Sequence, residues 1–253
     1  MTSTATVSAA MLAIGDELLS GRTRDKNIGH AASMLTLVGI DLKEVRIVPD
    51  EEDEIVAALN ALRGRYTYVL TSGGIGPTHD DITADAVSKA FGVPCLHDEK
   101  AMALLAAMYE RRGMEFTETR QRMARMPQGA DHIPNPVSTA PGFIIGNVYV
   151  MAGVPQVFEA MIDYVVPRLE HGQKMLSRAI ICPFGEGDIG LPLGAIQKAH
   201  PQTSIGSYPK FNNTGFSTEL VVRARDEAAL EAAAADITAM IEAIARAKEA
   251  ASA

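Results

Sequence analysis

Three copies of one pattern, an apolar strand followed by an amphipathic helix, constrain the fold of this chain more than any other feature. The strands are predicted where buried-type apolar runs or alternating residues end in turn residues, and the helices where apolar residues recur every three or four positions. In chain order, the strands cover residues 7–15, 40–48 and 66–74, and the helices cover residues 27–39, 49–65 and 80–92. Alternation of this kind predicts an α/β fold with three αβα layers, in which helices cover both faces of a mostly parallel sheet.

The patterns in the rest of the chain predict that this domain continues and that a smaller domain follows it. Helical patterns at residues 98–113 and 117–127 precede a hairpin that turns at residues 145–147, and a closing helix begins at Pro155 and is expected to kink at Pro167. The composition changes near Gly172, and the order strand–helix–strand–strand–helix that follows indicates a small α+β domain. We therefore predict two domains, residues 1–172 and residues 173–253.

The bulk composition argues against several classes of partner. A formal net charge of −8 over 253 residues disfavours binding to the phosphate backbone of nucleic acids, which needs a positive field. The apolar N-terminal stretch meets Asp16 and Glu17 early and lacks a basic start, and no apolar run is long enough to span a bilayer. We expect a cytoplasmic protein without a membrane partner, in which Cys95 and Cys182 are ordinary buried thiols.

The stretch "TSGGIGPTHDDIT", residues 71–83, follows a predicted strand and leads into a predicted helix. Its glycines let the backbone turn sharply and approach a ligand closely, and the free N–H groups of the helix that follows favour a phosphate. The carboxyl ends of parallel strands are where such sheets bind ligands. Residues 73–81, called the glycine loop below, are therefore a candidate anion site, although a bare turn would use the same glycines.

Acidic residues follow each of the three predicted strands. Asp16, Asp50 and Asp81 are expected to converge at one rim of the sheet, and Asp80 stands beside Asp81. Each of them could cap a helix, but two adjacent acids exceed what capping needs. Carboxylates beside a bound phosphate would repel it unless a divalent cation lies between them, and oxygen ligands of this kind suit Mg²⁺. Such an ion would hold a diphosphate and polarise it for attack.

Two later stretches, "STAPGF" at residues 138–143 and "MAGVPQ" at residues 151–156, are also rich in turn residues. Each could supply hydroxyl groups or backbone amides to a ligand. Their spacing alone favours simple turns.

The motifs "AIGDELLSGRTRDKN", "VPDEEDEI", "TSGGIGPTHDDITADAVSKAFG", "STAPGF" and "GVPQVF" occur in this order. Together they closely resemble the molybdopterin-binding domain shared by MoaB/MogA-like molybdopterin adenylyltransferases and the competence/damage-inducible protein A family, and fused to FAD synthases. The resemblance covers residues 8–172, and the long glycine loop and the "APGF" form are more similar to the competence protein. The region from Lys174 onward resembles the small domain that follows in that family.

The resemblance implies a role for each matching residue. It implies that the glycine loop cradles a pterin phosphate or a nucleotide diphosphate, and that Asp50 and Asp81 are catalytic and hold the metal. Asp80, which stands beside Asp81, is the third predicted metal ligand. The ligand-binding residues that it implies are Gly15, Asp16, Glu17, Ser72, Gly73, Gly74, Gly76, Pro77, Thr78, Ser138, Gly142 and Gly153.

The resemblance also implies an activity. The leading hypothesis is a pyrophosphatase that depends on Mg²⁺ or Co²⁺ and cleaves a nucleotide diphosphate such as ADP-ribose or FAD. A module that binds molybdopterin or an adenine nucleotide without turnover, and a molybdopterin adenylyltransferase, are the alternatives. A dimer or trimer is expected, whereas nicotinamide-nucleotide deamidation is not, because the corresponding C-terminal domain is missing. Ala152 departs from the proline usual at this position in the family and is expected to soften the last loop.

Overall fold

The first apolar run forms β1 (Ser8–Ile14) in the computed structural model, which describes residues 6–212 and 215–252. Residues 9–13 of this strand have no exposed surface, because helices cover both faces of its sheet. The other strands of this six-stranded sheet are β2 (Asp41–Val48), β3 (Tyr68–Ser72), β6 (Asp131–Ile133), β7 (Gly142–Ile145) and β8 (Val148–Met151).

The sheet has the spatial order β2-β1-β3-β8-β7-β6. Pairing is parallel from β2 through β1 and β3 to β8, whereas β7 and β6 pair antiparallel at one side. Because β1, β2, β3 and β8 run in the same direction, the loops that follow them leave the sheet at the same edge. The predicted mostly parallel α/β fold is confirmed.

The first helix, α1 (Asp16–Leu19), is a single turn within a segment that was predicted to be a loop. The longer helices of this part of the chain lie close to the predicted positions, and they are α2 (Asn27–Leu37), α3 (Glu52–Arg63), α4 (Thr83–Phe91), α5 (Glu99–Arg111) and α7 (Pro155–Val165). Another four-residue helix, α6 (Glu118–Gln121), lies between α5 and α7. A 3₁₀ turn (Val166–Arg168) follows α7, because Pro167 has no N–H with which to continue the helix.

Two apolar cores, one on each face of the sheet, hold the three layers together. On one face, α3, α4 and α5 contribute buried residues such as Leu59, Val87 and Leu105. On the other face, α2 and α7 contribute Leu35 and Phe158. Each fully buried side chain of this size stabilises the fold by about 1.5–3 kcal/mol before entropy is counted, so the strand ends are held on a rigid base.

The structure departs from the predicted helix at residues 117–127. This segment forms α6, a 3₁₀ turn (Arg122–Ala124) and the short strand β5 (Arg125–Pro127), which pairs with β4 (Cys95–His97). Arg125 pairs with Asp85 of α4 and Met126 is buried, so tertiary contacts override the helical pattern. Strands of three residues are too short to show an alternation that sequence reasoning could detect.

The chain divides into two units between Gly172 and Gln173. The second unit contains β9 (Leu176–Cys182), α8 (Glu186–Ala199), β10 (Ser204–Asn212), β11 (Gly215–Ala224) and α9 (Glu227–Ser252). Its antiparallel sheet has the order β10-β11-β9, and Leu220 and Val222 pack against Leu230 and Ile237 of α9 in one core. A small domain with an antiparallel sheet and helices therefore follows the first unit, as predicted.

No helix in the described part of the chain is both long and apolar enough to cross a membrane.

Candidate functional site

A cavity of about 540 Å³ opens where the parallel strands end. Its walls include Gly15 after β1, Asp50 after β2, the glycine loop after β3 and Gly153 after β8. Ser138, from the loop between β6 and β7, lines it from a further side. A volume of this size is typical of small-molecule sites, and we refer to it as the strand-end cavity.

The first two glycines of the loop are required by the space around them. Gly73 has a φ of +111°, and a Cβ atom there would lie 2.1 Å from the backbone oxygen of Ile14. Gly74 has a φ of +67°, and a Cβ atom there would lie 2.1 Å from Oγ1 of Thr83. Thr83 is fully buried and its hydroxyl donates to the backbone oxygen of Gly73 at 3.0 Å, so it has no room to move aside. The loop can therefore reach α4 so closely only with glycine at these positions.

The carboxylate of Asp81 fixes the shape of the glycine loop. Its Oδ1 accepts the N–H of Gly76 at 2.6 Å, and its Oδ2 accepts the N–H of Thr78 at 2.7 Å and the Thr78 hydroxyl at 2.5 Å. Arg122 donates in turn to the backbone oxygen of Asp81 at 3.2 Å. Asp81 lines the cavity, and both of its oxygens accept hydrogen bonds from donors of its own loop. Its role in this structure is to position the loop.

The backbone amides of Gly74 and Ile75, near the start of the glycine loop, are unpaired within the part of the chain that the structure describes. The N–H groups of Gly74 and Ile75 have no hydrogen-bond acceptor among the described residues, whereas Gly73 N–H donates to Met151 at 3.1 Å and Thr83 N–H donates to Gly74 at 3.0 Å. Both residues line the strand-end cavity, beside a helix whose N-terminus has no side-chain cap. Unpaired amides beside a helix N-terminus form an anion site.

Asn27 connects two of the strand ends, and sequence reasoning did not identify it. The residue is 4% exposed, and its Nδ2 donates to Ser72 Oγ at 2.7 Å and to the backbone oxygen of Gly153 at 2.8 Å. It thereby ties the end of β3 to the loop after β8. Asn27 closes the "GDELLSGRTRDKN" motif, so an amide at the start of a buried helix was the available signal.

Asn135 organises the loop between β6 and β7, which forms the far wall of the strand-end cavity. Sequence reasoning did not identify this residue either. Its Oδ1 accepts the N–H groups of Val137 and Ser138 at 3.0 Å, and its Nδ2 donates to Ser138 Oγ at 2.6 Å and to the oxygen of Ala140 at 2.8 Å. This loop is therefore held by one buried amide side chain. The signal in the sequence was an Asn followed by Pro within a segment of turn residues.

Asp50 is the cavity acid whose pKa is raised. Burial raises the pKa of its carboxyl above the usual value, and the nearby charges of Asp16, Glu17 and Asp80 raise it further. The N–H of Asp16 opposes this, since it donates to Asp50 Oδ2 at 3.0 Å and lowers the pKa. A carboxyl with a raised pKa in a cavity is typical of a group that takes up or releases a proton.

Asp80 has the opposite environment in the same cavity. The Thr78 hydroxyl, which lies between Asp80 and Asp81 and is shared by their carboxylates, and the residue's own backbone N–H lower the pKa of the Asp80 carboxyl, so Asp80 stays ionised at neutral pH. Two carboxyls whose pKa values are pushed apart are suited to two different tasks. Asp50 is suited to handling a proton and Asp80 to providing a fixed negative charge.

The carboxylates fit a cation that arrives with its ligand better than one held by the protein alone. In residues 6–212 and 215–252, no cluster of three or more His, Cys, Asp or Glu side chains has the spacing needed to hold a metal ion. Mg²⁺ commonly takes only one or two protein carboxylates and completes its shell with substrate phosphates and water. Asp50 and Asp80 line the same cavity as the unpaired amides and would meet that requirement.

The structure places most of the predicted site residues on the wall of the strand-end cavity. They are Gly15, Glu17, Asp50, Gly73, Gly74, Gly76, Pro77, Asp80, Asp81, Ser138 and Gly153.

Four predicted ligand-binding residues lie elsewhere. The N–H of Asp16 donates to Asp50, and Thr78 bonds to Asp81, so both support residues of the wall. Ser72 is buried and bonds to Asn27. Gly142 is buried in β7, where a Cβ atom would lie 2.3 Å from the oxygen of Val150, so strand packing accounts for this glycine.

The raised pKa of Asp50 predicts how stability changes with pH. The Asp50 carboxyl binds its proton more tightly in the folded state than in the unfolded state. Ionisation of Asp50 therefore lowers the free energy of unfolding at pH values above its raised pKa, and it has no effect well below the ordinary pKa of 3.8, where the carboxyl is protonated in both states. Asp50→Asn should therefore unfold at a higher temperature than the wild type at pH 7, and the difference should shrink toward pH 3. Thermal melts at both pH values test this, and a variant that is less stable at pH 7 would contradict it.

Comparison with known proteins identifies both parts of the chain. Residues 10–171 match the family model of a probable molybdopterin-binding domain, and residues 174–249 match that of the middle domain of FAD synthase. A protein of Pyrobaculum arsenaticum is 37% identical over 211 residues, which cover 80% of each chain.

The chain is also similar to proteins that carry the name CinA, the competence/damage-inducible protein A. A CinA-like protein of Geobacter metallireducens is 32% identical over 248 residues, which are 93% of this chain and 59% of that protein. The crystal structure of CinA from Thermoplasma acidophilum, a protein of unknown function, superposes with a TM-score of 0.59 at 32% identity. The superposition covers 64% of this chain and 96% of that one. The predicted resemblance is confirmed.

Proposed function

Since the chain belongs to the family of molybdopterin-binding domains, we propose that it is a divalent-metal-dependent hydrolase of a nucleotide diphosphate such as ADP-ribose or FAD. One observation carries the proposal: the unpaired amides of Gly74 and Ile75 share a cavity with Asp50 and Asp80. Amides bind phosphate oxygens, and carboxylates bind the cation that makes a diphosphate acceptable beside them.

The residues of the cavity would divide the work of hydrolysis. The amides of Gly74 and Ile75 would bind the non-bridging oxygens of one phosphate and keep it at the strand ends, where Asp81 holds the loop in shape. Asp50 Oδ2 is fixed by the N–H of Asp16, which leaves Oδ1 to orient a water molecule. A cation held by Asp50 and Asp80 would supply charge neutralisation to the diphosphate.

The reaction balances with water as the only co-reactant. The water oxygen bonds to one phosphorus, and the bond from that phosphorus to the bridging oxygen breaks. Asp50 would take the water proton and pass it to solvent. The bridging oxygen leaves with the other phosphate, so ADP-ribose would give AMP and ribose 5-phosphate.

Release of AMP tests the proposal. We expect purified protein with Mg²⁺ or Co²⁺ to release AMP from ADP-ribose or FAD, and Asp50→Asn to lower kcat by about 100-fold or more while ADP-ribose still binds. Chromatography of the products and calorimetric titration of the variant measure the two parts. Turnover by Asp50→Asn at the wild-type rate would rule out the role given to Asp50.

A module that binds a nucleotide or pterin without turnover is the second candidate. It is favoured by the carboxylate of Asp81, whose oxygens are occupied by the loop, and by the lack of a three-ligand metal cluster among the described residues. Binding of ADP-ribose without AMP release under any divalent cation would select this candidate. The homo-oligomer expected from the resemblance remains a prediction.

A further inference from the structure

The first unit contains a second cavity, of about 400 Å³, that the proposed reaction does not use. Its walls come from α5, from His132 on β6, from α7 and from residues 134–141, all of which belong to one folded unit. We refer to it as the side cavity. Its volume lies in the range of small-molecule sites, which is about 300–1,000 Å³.

The residues that line the side cavity favour a ligand with a flat ring. Leu104, Ala160 and three prolines form most of the wall, and the ring of Tyr164 adds an aromatic surface. The guanidinium of Arg168 lies 3.6 Å from the centroid of the Tyr164 ring, which brings a positive charge next to this surface. Apolar walls with one aromatic surface are typical of sites for planar ligands.

The charges around the side cavity favour a ligand with a negative charge. Lys100 lies on its wall, and among the described residues that line it there is no Asp or Glu. Lys100 has no ion pair within residues 6–212 and 215–252, although the chain as a whole carries a net charge of −8. The nearby carboxylate of Asp98 is bound to other partners than Lys100. Its Oδ1 lies 2.8 Å from His132 Nε2 and accepts the N–H of Ala101 at 2.8 Å.

One wall of the side cavity is held rigidly and is shared with the strand-end cavity. Asn135 lines both cavities, Ser138 and Ala140 face the strand-end cavity, and Thr139 and Pro141 face the side cavity. Thr139 has a φ of +73°, a left-handed conformation that a β-branched residue adopts only when its surroundings impose it. The bonds of Asn135 impose it here, so the wall exists before any ligand binds.

We propose that the side cavity is a binding site for a small planar aromatic anion, with the ring beside Tyr164 and the negative group beside Lys100. An occupant would press on the loop that forms the far wall of the strand-end cavity. The site does not depend on the proposed hydrolase activity, because none of its polar residues takes part in that reaction.

A pair of fluorescent probes tests the proposal on the full chain. Anilinonaphthalene sulfonate is an aromatic anion that carries a flat naphthalene ring, and N-phenylnaphthylamine has the same rings without the charge. We expect one molecule of either probe to bind per chain. Lys100→Glu should weaken the anionic probe about 5-fold or more and leave the neutral probe unchanged, because only the first depends on the lysine charge.

Two further variants complete the test. Lys198→Glu makes the same change of net charge at an exposed position of α8 and should bind both probes like the wild type. Ala160→Trp fills the side cavity and should weaken both probes at least about 10-fold, with circular dichroism as the check on folding. Lys100 is exposed, so Lys100→Glu stays informative even if Ala160→Trp does not fold. Equal binding of the anionic probe by Lys100→Glu and Lys198→Glu, or no binding to the wild type, would overturn the proposal.

Discussion

Replacement of Gly74 by alanine should abolish binding of ADP-ribose and destabilise the protein by about 3 kcal/mol or more. Alanine at a φ of +67° costs about 1–2 kcal/mol by itself, and the new Cβ atom would stand 2.1 Å from Thr83 Oγ1. Because Thr83 is fully buried, the strain must be relieved by the loop, which adds about 1–3 kcal/mol and moves the amides of Gly74 and Ile75. Chemical denaturation and calorimetric titration measure the two effects.

Gly92 provides a matched control for this substitution. Gly92 ends α4 with the same φ of +67°, but a Cβ atom there would have no neighbour within 4 Å. Gly92→Ala should therefore show the backbone cost of about 1–2 kcal/mol and keep full affinity for ADP-ribose. If Gly74→Ala and Gly92→Ala lost the same stability and bound equally well, the close approach of the glycine loop to α4 would have no functional meaning.

Removal of the Asp81 carboxylate should have the second largest effect. Asp81→Ala leaves the N–H groups of Gly76 and Thr78 without their acceptor, which should cost about 2 kcal/mol of stability. Since the loop then loses its shape, we expect the affinity for ADP-ribose, and any AMP release, to fall about 100-fold. Asp81→Asn keeps one oxygen acceptor and should lie between Asp81→Ala and the wild type.

The control for Asp81 removes a capping carboxylate elsewhere. Asp226 Oδ1 accepts the N–H of Ala229 at 2.8 Å at the start of α9, so Asp226→Ala should lose about 1 kcal/mol and bind ADP-ribose normally. A role of Asp81 as a metal ligand predicts a different outcome: Asp81→Ala would keep its stability and lose affinity only when the divalent cation is present. That outcome would contradict the positioning role assigned to Asp81.

Elements with a long, regular pattern could be predicted from the sequence, and short elements fixed by distant contacts could not. β1 is a nearly continuous apolar run of seven residues and α3 shows its helical period over twelve, and both lie where predicted. Residues 125–127 belong to a helical pattern, but they form a strand because Arg125 pairs with Asp85, forty positions away. A local pattern carries no information about such a contact.

The candidate site was predictable as a set of loops but not as a set of contacts. The glycines and acids after the strands indicated which residues meet at the sheet edge, and most of them line the cavity. The direction in which the Asp81 carboxylate points depends on the turn of its own loop, so it could be assigned to a metal or to the loop only from the structure. Asn27 was missed because its partners Ser72 and Gly153 lie 45 and 126 positions away.

If the amides of Gly74 and Ile75 bind the phosphate oxygens of a diphosphate, the surroundings of these two amides change when the ligand binds. The most direct test follows the amide resonances of ¹⁵N-labelled protein by NMR while ADP-ribose is added in the presence of Mg²⁺. We expect the Gly74 and Ile75 resonances to move by the largest amounts and the Gly92 resonance to stay in place. Saturable binding of ADP-ribose that leaves the Gly74 and Ile75 resonances unmoved would contradict it.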